Sequence, residues 1–361
     1  MKKLDKLFVM CLIIILVMLL VLVGLLALKT ALYRPMVDTG VPFTDTEIYS
    51  PGPADSVGKF ETQGTTETEK SPDYVREKDK YLFLAVGVDR SAGLADAIML
   101  ASFDATSGSV SVMQIPRDTY IEIDGKGRKI NSLLPDYGIE KMRDVIETTF
   151  CVNIDYTAVI DFAALESIVD SVGGVEIDVP FDMIYSDPYQ DLYIDIKAGL
   201  QVLDGKNAVD FVRYRAEYAD GDLGRIDAQK QFMSALFKKV INEITVTRML
   251  NLIKALLPML DTDIIVEDAA FFAGKFFAAD NRRLTMLTVP GFQLYSESAG
   301  TWYYVISRQG SLDAVNGYFN VYSTPVKERL YDPDMILCKE EDDDFLRIYK
   351  YSILPPKPVE G

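Results

Sequence analysis

Runs of apolar residues separated by short polar turns mark the start of a folded region near Tyr81. The run YLFLAVGVD is apolar almost throughout and ends at Asp89, which is typical of a strand buried on both faces. The segments AIMLASFD (97–104) and SVSVMQIP (109–116) flank a turn at 105–108. This part of the chain therefore predicts a β-hairpin.

Helical and extended patterns alternate through the rest of this region. Apolar runs with an extended or mixed pattern are YTAVID (156–161), VEIDV (175–179), a predicted edge strand YIDIK (193–197), RLTMLTVPG (283–291) and WYYVIS (302–307). Helical spacing of apolar residues occurs at 139–150, 162–172, from about 227 to 243, from 248 to 277 and near 311–319. Gly173 directly follows a predicted helix and is expected to be its C-cap. Strands interleaved with helices predict an α/β layered fold with a mixed sheet.

An uncharged apolar segment precedes the folded region. Phe8–Leu28 contains 21 residues without a charge, long enough to cross a bilayer as a helix. Lysines at positions 2, 3 and 6 place residues 1–7 in the cytoplasm and the rest of the chain outside the cell. A cleaved signal peptide is the alternative, but the run is longer than a typical h-region and no clear A-x-A site follows it. The sequence favours an uncleaved signal anchor in the cell membrane.

Composition divides the remaining chain into three parts. Residues 29–78 are rich in Pro, Gly, Thr, Ser, Asp and Glu, which predicts a flexible extracellular stalk. Residues 79–322 hold the predicted extracytoplasmic domain. Residues 323–361 contain an acidic run at 340–344 and a Pro-rich end, and we interpret them as a peripheral tail.

Charge and residue usage restrict the chemistry. The net charge of −17 argues against nucleic acid as a partner. The chain has no histidine, which excludes His-based triads, His metal sites and imidazole bases. Its cysteines, Cys11, Cys151 and Cys338, fit no metal or redox spacing. Whether Cys151 pairs with Cys338 or both are unpaired stays open.

Several arginines lie close together in an otherwise acidic chain. Arg213 and Arg215 are two residues apart, so in an extended segment they would point to one face, and Arg225 and Gln229 would share a face of a helix. Converging guanidinium groups suit phosphate oxygens, which they bind in a bidentate fork. A structural ion-pair network with Glu217, Asp220 and Asp222 is the equal alternative.

Two carboxylates flank a predicted loop between strands. Asp89 follows one strand and Asp96 precedes the next, so both are expected at the same end of the sheet. Mg²⁺ is commonly bound by one or two carboxylates together with substrate phosphate oxygens. The alternative is that both residues are caps in a solvated loop. Arg117 and Asp118 end another strand and Lys129 lies in a short loop, where ordinary surface charges are also common.

Ordered motifs connect these positions to a known family. They are GVD (87–89), ADAIML (95–100), IPRDT (115–119), KIN (129–131), VGGVEIDVP (172–180), LDGKNAVDFVRYR (203–215) and DGDLGRIDAQKQF (220–232). In order and spacing, from about residue 80 to 320, the chain resembles the LytR-CpsA-Psr family. The resemblance implies a three-layer α/β/α sandwich around a central mixed sheet, preceded by one N-terminal transmembrane helix, with a hydrophobic pocket for a polyprenyl tail.

The resemblance also implies an activity and its residues. Family members are phosphotransferases that move a glycopolymer, such as a teichoic acid or capsule precursor, from an undecaprenyl-pyrophosphate carrier to peptidoglycan. Carried over, the family pattern implies Mg²⁺ ligation by Asp89 and Asp96. The residues implied in pyrophosphate binding are Arg117, Lys129, Arg213, Arg215, Arg225 and Gln229, with Asp118 and Asp222 in support. The residues implied as catalytic are Asp89, Asp96, Arg117, Arg213, Arg215 and Arg225.

The chain departs from the family pattern at two positions. Leu94 stands where the family usually has an arginine, and Arg90 on the same loop is a candidate substitute. Ala228 replaces an arginine that often follows the GRI motif. These departures keep two alternatives to the transferase open: a non-catalytic envelope protein that binds polyprenyl-pyrophosphate lipids as a scaffold or regulator, and a lipid pyrophosphatase.

Overall fold

A central sheet of mixed direction organises the part of the chain that the structure describes. The computed structural model describes residues 33–35, 75–89, 93–123, 126–188, 192–216, 218, 222–297, 299–326 and 359–360. The strands are β1 Lys80–Val88, β2 Ala95–Asp104, β3 Ser109–Ile115, β4 Tyr120–Ile123, β5 Lys126–Lys129, β6 Tyr156–Asp161, β7 Val175–Val179, β8 Met183–Asp187, β9 Leu192–Ile196, β10 Gly199–Leu203, β11 Asp261–Thr262, β12 Arg283–Thr288, β13 Gly291–Ser296, β14 Thr301–Ile306 and β15 Val359–Glu360. The α-helices are α1 Leu133–Phe150, α2 Phe162–Val172, α3 Gly205–Arg213, α4 Asp222–Glu243, α5 Val246–Leu256, α6 Val266–Ala278 and α7 Arg308–Ala314.

Seven strands form the main sheet in the order β11-β6-β1-β2-β3-β12-β15. The pairs β1–β6 and β3–β12 are parallel, and the remaining neighbours are antiparallel. Four further pairs, β4–β5, β7–β10, β8–β9 and β13–β14, lie outside this sheet. The carboxyl ends of β1, β3, β6 and β12 therefore meet at one edge of the sheet, together with the start of β2.

The two faces of the sheet carry different layers. Even-numbered residues of β1, such as Leu82 and Leu84, pack with α1 and α7 in the main core. Odd-numbered Tyr81 and Phe83 face the other layer, where Phe272 of α6 lies edge-on to both rings. Helix α4 covers the β3–β12 part of that second face. The predicted α/β/α architecture with a mixed sheet is confirmed for the described residues.

Several predicted elements match the structure closely. The bounds of β6, α2 and β7 coincide with their predicted ranges, and Gly173 ends α2 with φ +89°, a conformation that suits glycine. The strand predicted at 193–197 is present as β9, which pairs with β8 in a separate hairpin and does not join the main sheet. Helix α1 begins at Leu133 rather than at 139, and Gly138 interrupts it with φ +83°.

Some predictions concern residues outside the described ranges. The proposed membrane span at 8–28 and most of the stalk and the C-terminal tail, including Cys338, fall there. Cys151 is buried, and its Sγ lies 3.8 Å from the carbonyl oxygen of Thr148. None of the helices in the described ranges is both long enough and apolar enough to cross a membrane.

A buried ion pair closes the fold at the amino-terminal end of β1. The Arg76 guanidinium binds the Asp155 carboxylate, and the two side chains are 3% and 2% exposed. Asp155 also accepts a hydrogen bond of 2.7 Å from the amide of Leu82. The backbone at Arg76 forms a β-bridge with Tyr322, so the start and the end of the folded region lie side by side.

Replacing Arg76 with alanine is expected to lower the free energy of unfolding by about 3–5 kcal/mol, because the Asp155 charge then stays buried without its partner. Chemical denaturation of the purified protein measures this loss. The double variant Arg76→Met with Asp155→Leu removes both charges, so it is expected to unfold at a higher denaturant concentration than Arg76→Ala. A midpoint for Arg76→Ala equal to that of the wild type would contradict this role.

Candidate functional site

Small side chains on β1 and β2 create a pocket on the second face of the sheet. Ala85, Gly87, Ala97 and Ala101 form part of its floor, and larger apolar residues of α2 and α4 form its walls. The pocket has a volume of about 200 Å³. The short floor residues leave a space between the sheet and the larger side chains of α2 and α4. A space of this size, lined mainly by apolar side chains, can hold a segment of an apolar ligand.

The floor leaves little room for a larger side chain at Gly87. Gly87 lies directly opposite Ala97 on the neighbouring strand. A Cβ atom at position 87 would lie 3.2 Å from the Ala97 Cβ, which is tighter than most packed contacts. The β1–β2 register shifts between Gly87 and Val88, at the point where both strands reach the pocket mouth. The floor and the charged mouth are therefore built by the same two strands.

Polar and charged side chains surround the mouth of the pocket. The predicted site residues among its lining are Asp89, Asp96, Arg213, Arg215, Arg225 and Gln229. They lie where the carboxyl ends of β1 and β6 meet the start of β2, an edge where ligands commonly bind in α/β sheets. Asp96 is the second residue of β2 rather than a loop residue, which corrects the prediction from its spacing.

Asp96 joins two arginines from distant parts of the chain. Its Oδ1 lies 2.8 Å from Nη1 of Arg117 and 3.6 Å from Nη1 of Arg225. Nη2 of Arg225 also donates to the Asp96 carbonyl oxygen at 3.3 Å. The Arg225 side chain is only 3% exposed, whereas Asp96 is 22% exposed. A buried guanidinium of this kind needs an anion beside it, and Asp96 supplies one.

Asp89 is paired with the arginine at the end of α3. Nη2 of Arg213 lies 3.1 Å from Oδ2 of Asp89, and the guanidinium stacks over the Phe162 ring at 4.4 Å. These contacts fix Arg213 between a carboxylate and an aromatic face. The Arg213 side chain is 20% exposed, so part of the guanidinium stays accessible.

The extended segment predicted for Arg213 and Arg215 is wrong for Arg213. The Asp204 side chain accepts from the amide of Asn207 and caps a helix that ends at Arg213. The chain becomes extended at Tyr214, which is buried, and Arg215 is exposed at the pocket mouth. The two arginines reach the mouth because the helix ends between them.

Arg225 and Gln229 share one face of α4, as their spacing predicts. Both are buried and line the pocket. Nε2 of Gln229 donates to the Val212 carbonyl at 3.3 Å, and its Oε1 accepts from Gln114. Gln229 thus connects α4 to the end of α3 and to β3. Ala228 packs into the core formed by α2–α4 and β7–β10, away from the pocket lining.

The remaining predicted residues lie at the rim or outside the described ranges. Lys129 belongs to β5, not to a loop, and its Nζ lies 3.1 Å from Oδ1 of Asp118. This pair is outside the pocket lining, and Arg117 contacts the lining residue Asp96. Asp222 begins α4, but its side chain is not described; Arg90, Glu217 and Asp220 lie outside the described residues. Leu94 is half-buried directly before β2.

Asp161 and Phe162 line the pocket but were not among the predicted site residues. Asp161 ends β6 opposite Val88 of the parallel strand β1, and its Oδ1 accepts from the Ala164 amide at 2.7 Å as the cap of α2. The signal was present in the sequence. Like Asp89, Asp161 is an acidic residue at the end of an apolar strand, and parallel pairing brings both strand ends to the same edge.

The mouth offers oxygen ligands for a hard cation. Within the described ranges, no group of three or more His, Cys, Asp or Glu side chains is placed to hold a metal ion by itself. Asp89 and Asp96 provide two carboxylates at one pocket mouth. This donor set fits Mg²⁺, which completes its coordination with waters and substrate phosphate oxygens. The cation would then bind together with a phosphorylated ligand.

Comparisons with known proteins agree on one family. The LytR_cpsA_psr family matches residues 52–317. The chain is 28% identical over 300 residues to the polyisoprenyl-teichoic acid–peptidoglycan teichoic acid transferase TagU of Bacillus cereus, covering 82% of this chain and 93% of TagU. It is 24% identical over 238 residues to the transferase of the same description, TagV, of Bacillus subtilis, covering 63% of this chain and 61% of TagV.

Solved structures share the fold. The crystal structure of B. subtilis TagV superposes with a TM-score of 0.57 at 23% identity, over 66% of this chain and 95% of the TagV chain. A structure of TagT bound to LI-WTA superposes with a TM-score of 0.54 at 23% identity, over 66% of this chain and 88% of the TagT chain. At these identities the likeness establishes the architecture alone.

Replacing Asp96 with alanine is expected to lower the free energy of unfolding by about 1–3 kcal/mol, because the buried Arg225 guanidinium loses its charged partner. Inorganic pyrophosphate, in the absence of divalent cations, is then expected to raise the melting temperature of this variant more than that of the wild type. Differential scanning calorimetry measures both effects.

Asp136→Ala is the matched control. Its carboxylate forms an exposed ion pair of 2.7 Å with Arg128, a kind of contact that contributes about 0–1 kcal/mol. Pyrophosphate stabilisation of Asp96→Ala no larger than that of Asp136→Ala would show that the arginines at the mouth do not form an anion site.

Proposed function

Because the chain belongs to the LytR-CpsA-Psr family, we propose that it transfers a phosphate-linked glycopolymer from a polyprenyl-pyrophosphate carrier to peptidoglycan. The observation that carries the proposal is the apolar pocket that ends in a mouth of arginines and carboxylates. A polyprenyl pyrophosphate likewise consists of an apolar part, its hydrocarbon chain, joined to a charged part, its diphosphate. The printed names of TagU and TagV supply the reaction class, and the glycopolymer itself is left to experiment.

The pocket orients the donor. A segment of the polyprenyl chain would lie over the short side chains of β1 and β2, against Phe232 and Met233 of α4. Its diphosphate would then emerge beside Arg213 and Arg225. Binding the chain far from the reacting atoms holds the diphosphate in one position, which is the main requirement of phosphoryl transfer.

The reaction exchanges one phosphorus–oxygen bond for another. A hydroxyl oxygen of the acceptor attacks the phosphorus that carries the glycopolymer, the bond from that phosphorus to the bridging oxygen breaks, and polyprenyl phosphate leaves. The acceptor hydroxyl loses its proton to a carboxylate at the mouth or to solvent. Arg117, Arg213, Arg215 and Arg225 would stabilise the negative charge on the transferred and leaving phosphates.

Magnesium is part of the proposal. Asp89 and Asp96 would hold the ion, and it would neutralise charge on the diphosphate oxygens. Both carboxylates already pair with arginines. Binding of the cation and the diphosphate would therefore rearrange existing ion pairs. Anchoring through residues 8–28, with the domain outside the cytoplasmic membrane, would place the pocket on the side where peptidoglycan is assembled.

Leu94 supports a second candidate. An apolar side chain stands where the family usually supplies a guanidinium, so one charged contact to the diphosphate would be missing. A protein that binds polyprenyl-pyrophosphate lipids without transferring them, as a scaffold or regulator, fits this difference. Hydrolysis of the carrier without transfer is the third outcome that the same site permits.

One assay separates these candidates. The purified protein is incubated with Mg²⁺ and a polyprenyl-pyrophosphate glycolipid, with and without peptidoglycan fragments, and the phosphate-linked products are followed. Attachment of the glycopolymer to the fragments supports transfer. Phosphate release that is independent of the fragments identifies a pyrophosphatase, and tight lipid binding without products, unchanged by Leu94→Arg, identifies a scaffold.

Arg215→Ala is expected to lower the transfer rate by about 10²–10³-fold, since a charge contact to the transition state is lost. Arg215 is exposed, so the unfolding free energy should change by less than about 0.5 kcal/mol. Arg215→Lys keeps the positive charge but loses the bidentate geometry of the guanidinium group, so it should recover only part of the rate. Arg248→Ala, which removes another exposed arginine, on α5, is the control. Full activity in Arg215→Ala would contradict the assignment.

Ala85→Leu is expected to weaken binding of a polyprenyl phosphate at least about tenfold, because the added carbons occupy the pocket floor. Fluorescence titration with a labelled lipid measures the affinity, and thermal unfolding verifies that the variant is folded. Ala163→Leu makes the same substitution at an exposed position of α2 and should bind like the wild type. Unchanged affinity in folded Ala85→Leu would show that the lipid lies elsewhere.

A further inference from the structure

An exposed aromatic pair lies on the β13–β14 hairpin. Tyr295 and Trp302 are directly opposite each other in the register, with ring centroids 5.3 Å apart. Tyr295 is 45% exposed and Trp302 is 56% exposed, and Trp302 is the single tryptophan of the chain. Large aromatic side chains usually gain their stability from burial, so an exposed pair of this kind is a candidate contact surface.

The hairpin lies at the same edge of the sheet as the candidate site. It leaves the carboxyl end of β12, which runs parallel to β3. The amide of Tyr304 donates to the Asp118 carbonyl at 2.9 Å, directly after Arg117. On the other face of β14, the Tyr303 ring contacts Tyr120 at 5.2 Å and Lys129 at 5.9 Å. The strand that carries Trp302 is thus hydrogen-bonded to the segment that carries Arg117.

We propose that Tyr295 and Trp302 form a platform on which a pyranose ring of the glycan substrate stacks. The flat C–H face of a pyranose packs on an aromatic ring while its hydroxyl groups stay in water, so an exposed ring pair suits this ligand. Gln293 is exposed and, by the two-residue period of the strand, shares the face of Tyr295, where its amide can bond a sugar hydroxyl. The inference deepens the proposed function, on which it rests.

The charge of the hairpin argues against a membrane surface as its partner. Residues 291–306 include Glu297 but no lysine or arginine. Binding to anionic lipid headgroups draws on basic side chains, which this segment lacks. A sugar ring requires no opposite charge. The pyranose can belong to the peptidoglycan acceptor or to the glycopolymer of the donor, and the two share the chemistry of the contact.

Trp302 provides a direct readout. In the full-length protein, its fluorescence is excited where tyrosine does not absorb, and β-1,4-linked N-acetylglucosamine oligomers are added as the probe of the acceptor glycan. A second arm uses the glycopolymer released from its lipid. A saturable shift of the emission with either probe supports the platform, and the probe with the higher affinity identifies which substrate it holds.

Variants separate stacking from a structural role. Tyr295→Ala should weaken probe binding about three- to tenfold by the same fluorescence signal. By calorimetry, Trp302→Ala should lose binding and Trp302→Phe should restore most of it. Tyr318→Ala removes another exposed tyrosine, at the opposite end of the sheet, and should bind like the wild type. In the transfer assay, Tyr295→Ala should raise the KM for the glycan and leave kcat nearly unchanged.

The result that overturns the proposal is a Trp302 emission that responds to neither glycan probe. A response only to phosphatidylglycerol vesicles, or dimerisation that Trp302→Ala abolishes without any glycan response, would likewise overturn it in favour of a membrane or protein contact. The glycan-binding measurement uses neither the lipid donor nor Mg²⁺, so it is independent of the transfer assay. Absence of glycan binding would overturn the platform even if transfer is observed, and glycan binding can still be measured if transfer is absent.

Discussion

A guanidinium buried at the end of an apolar pocket is the constraint on which this site depends. Arg225 is almost fully removed from water, and a charge in that position is tolerated only with an anion and hydrogen-bond acceptors beside it. Asp96 supplies both its carboxylate and its carbonyl oxygen. The same carboxylate also holds Arg117, so one side chain links β2, α4 and the segment after β3. Arginines can gather at the mouth because the Asp96 carboxylate neutralises part of their charge.

The uneven packing of the sheet explains why the pocket exists. On one face, the even-numbered residues of β1 that precede the mouth are apolar and buried, and they pack with α1 and α7. On the other, large rings at Tyr81 and Phe83 give way to Ala85 and Gly87 within the same strand. The packed half holds the strands in register, and the open half leaves room for a ligand. A single strand therefore contributes both to stability and to the site.

The sequence predicted the layered fold and most of the site for physical reasons that are local. Apolar runs, glycine after α2 and the four-residue spacing of Arg225 and Gln229 depend on neighbours along the chain, and the structure agrees with them. The position of Asp96 within β2 follows from a register shift, which depends on how two strands pair. Arg213 lies in a helix because Asp204 caps it, a signal that the apolar pattern alone does not contain. Asp161 belongs to the mouth only because β6 pairs in parallel with β1, a tertiary fact.

The bridge between Arg76 and Tyr322 joins the start and the end of the folded region. It lies at the amino-terminal end of β1, whereas Asp89 follows the carboxyl end of the same strand. The nine residues of β1 separate these points by roughly 30 Å. Arg34 pairs with Asp79, directly before β1, so the proposed anchor at residues 8–28 would approach the domain from this end and leave the mouth on the far side. The few residues between that anchor and Tyr33, which contacts Asp268 of α6, would then decide whether the mouth can reach a lipid that is still embedded in the bilayer.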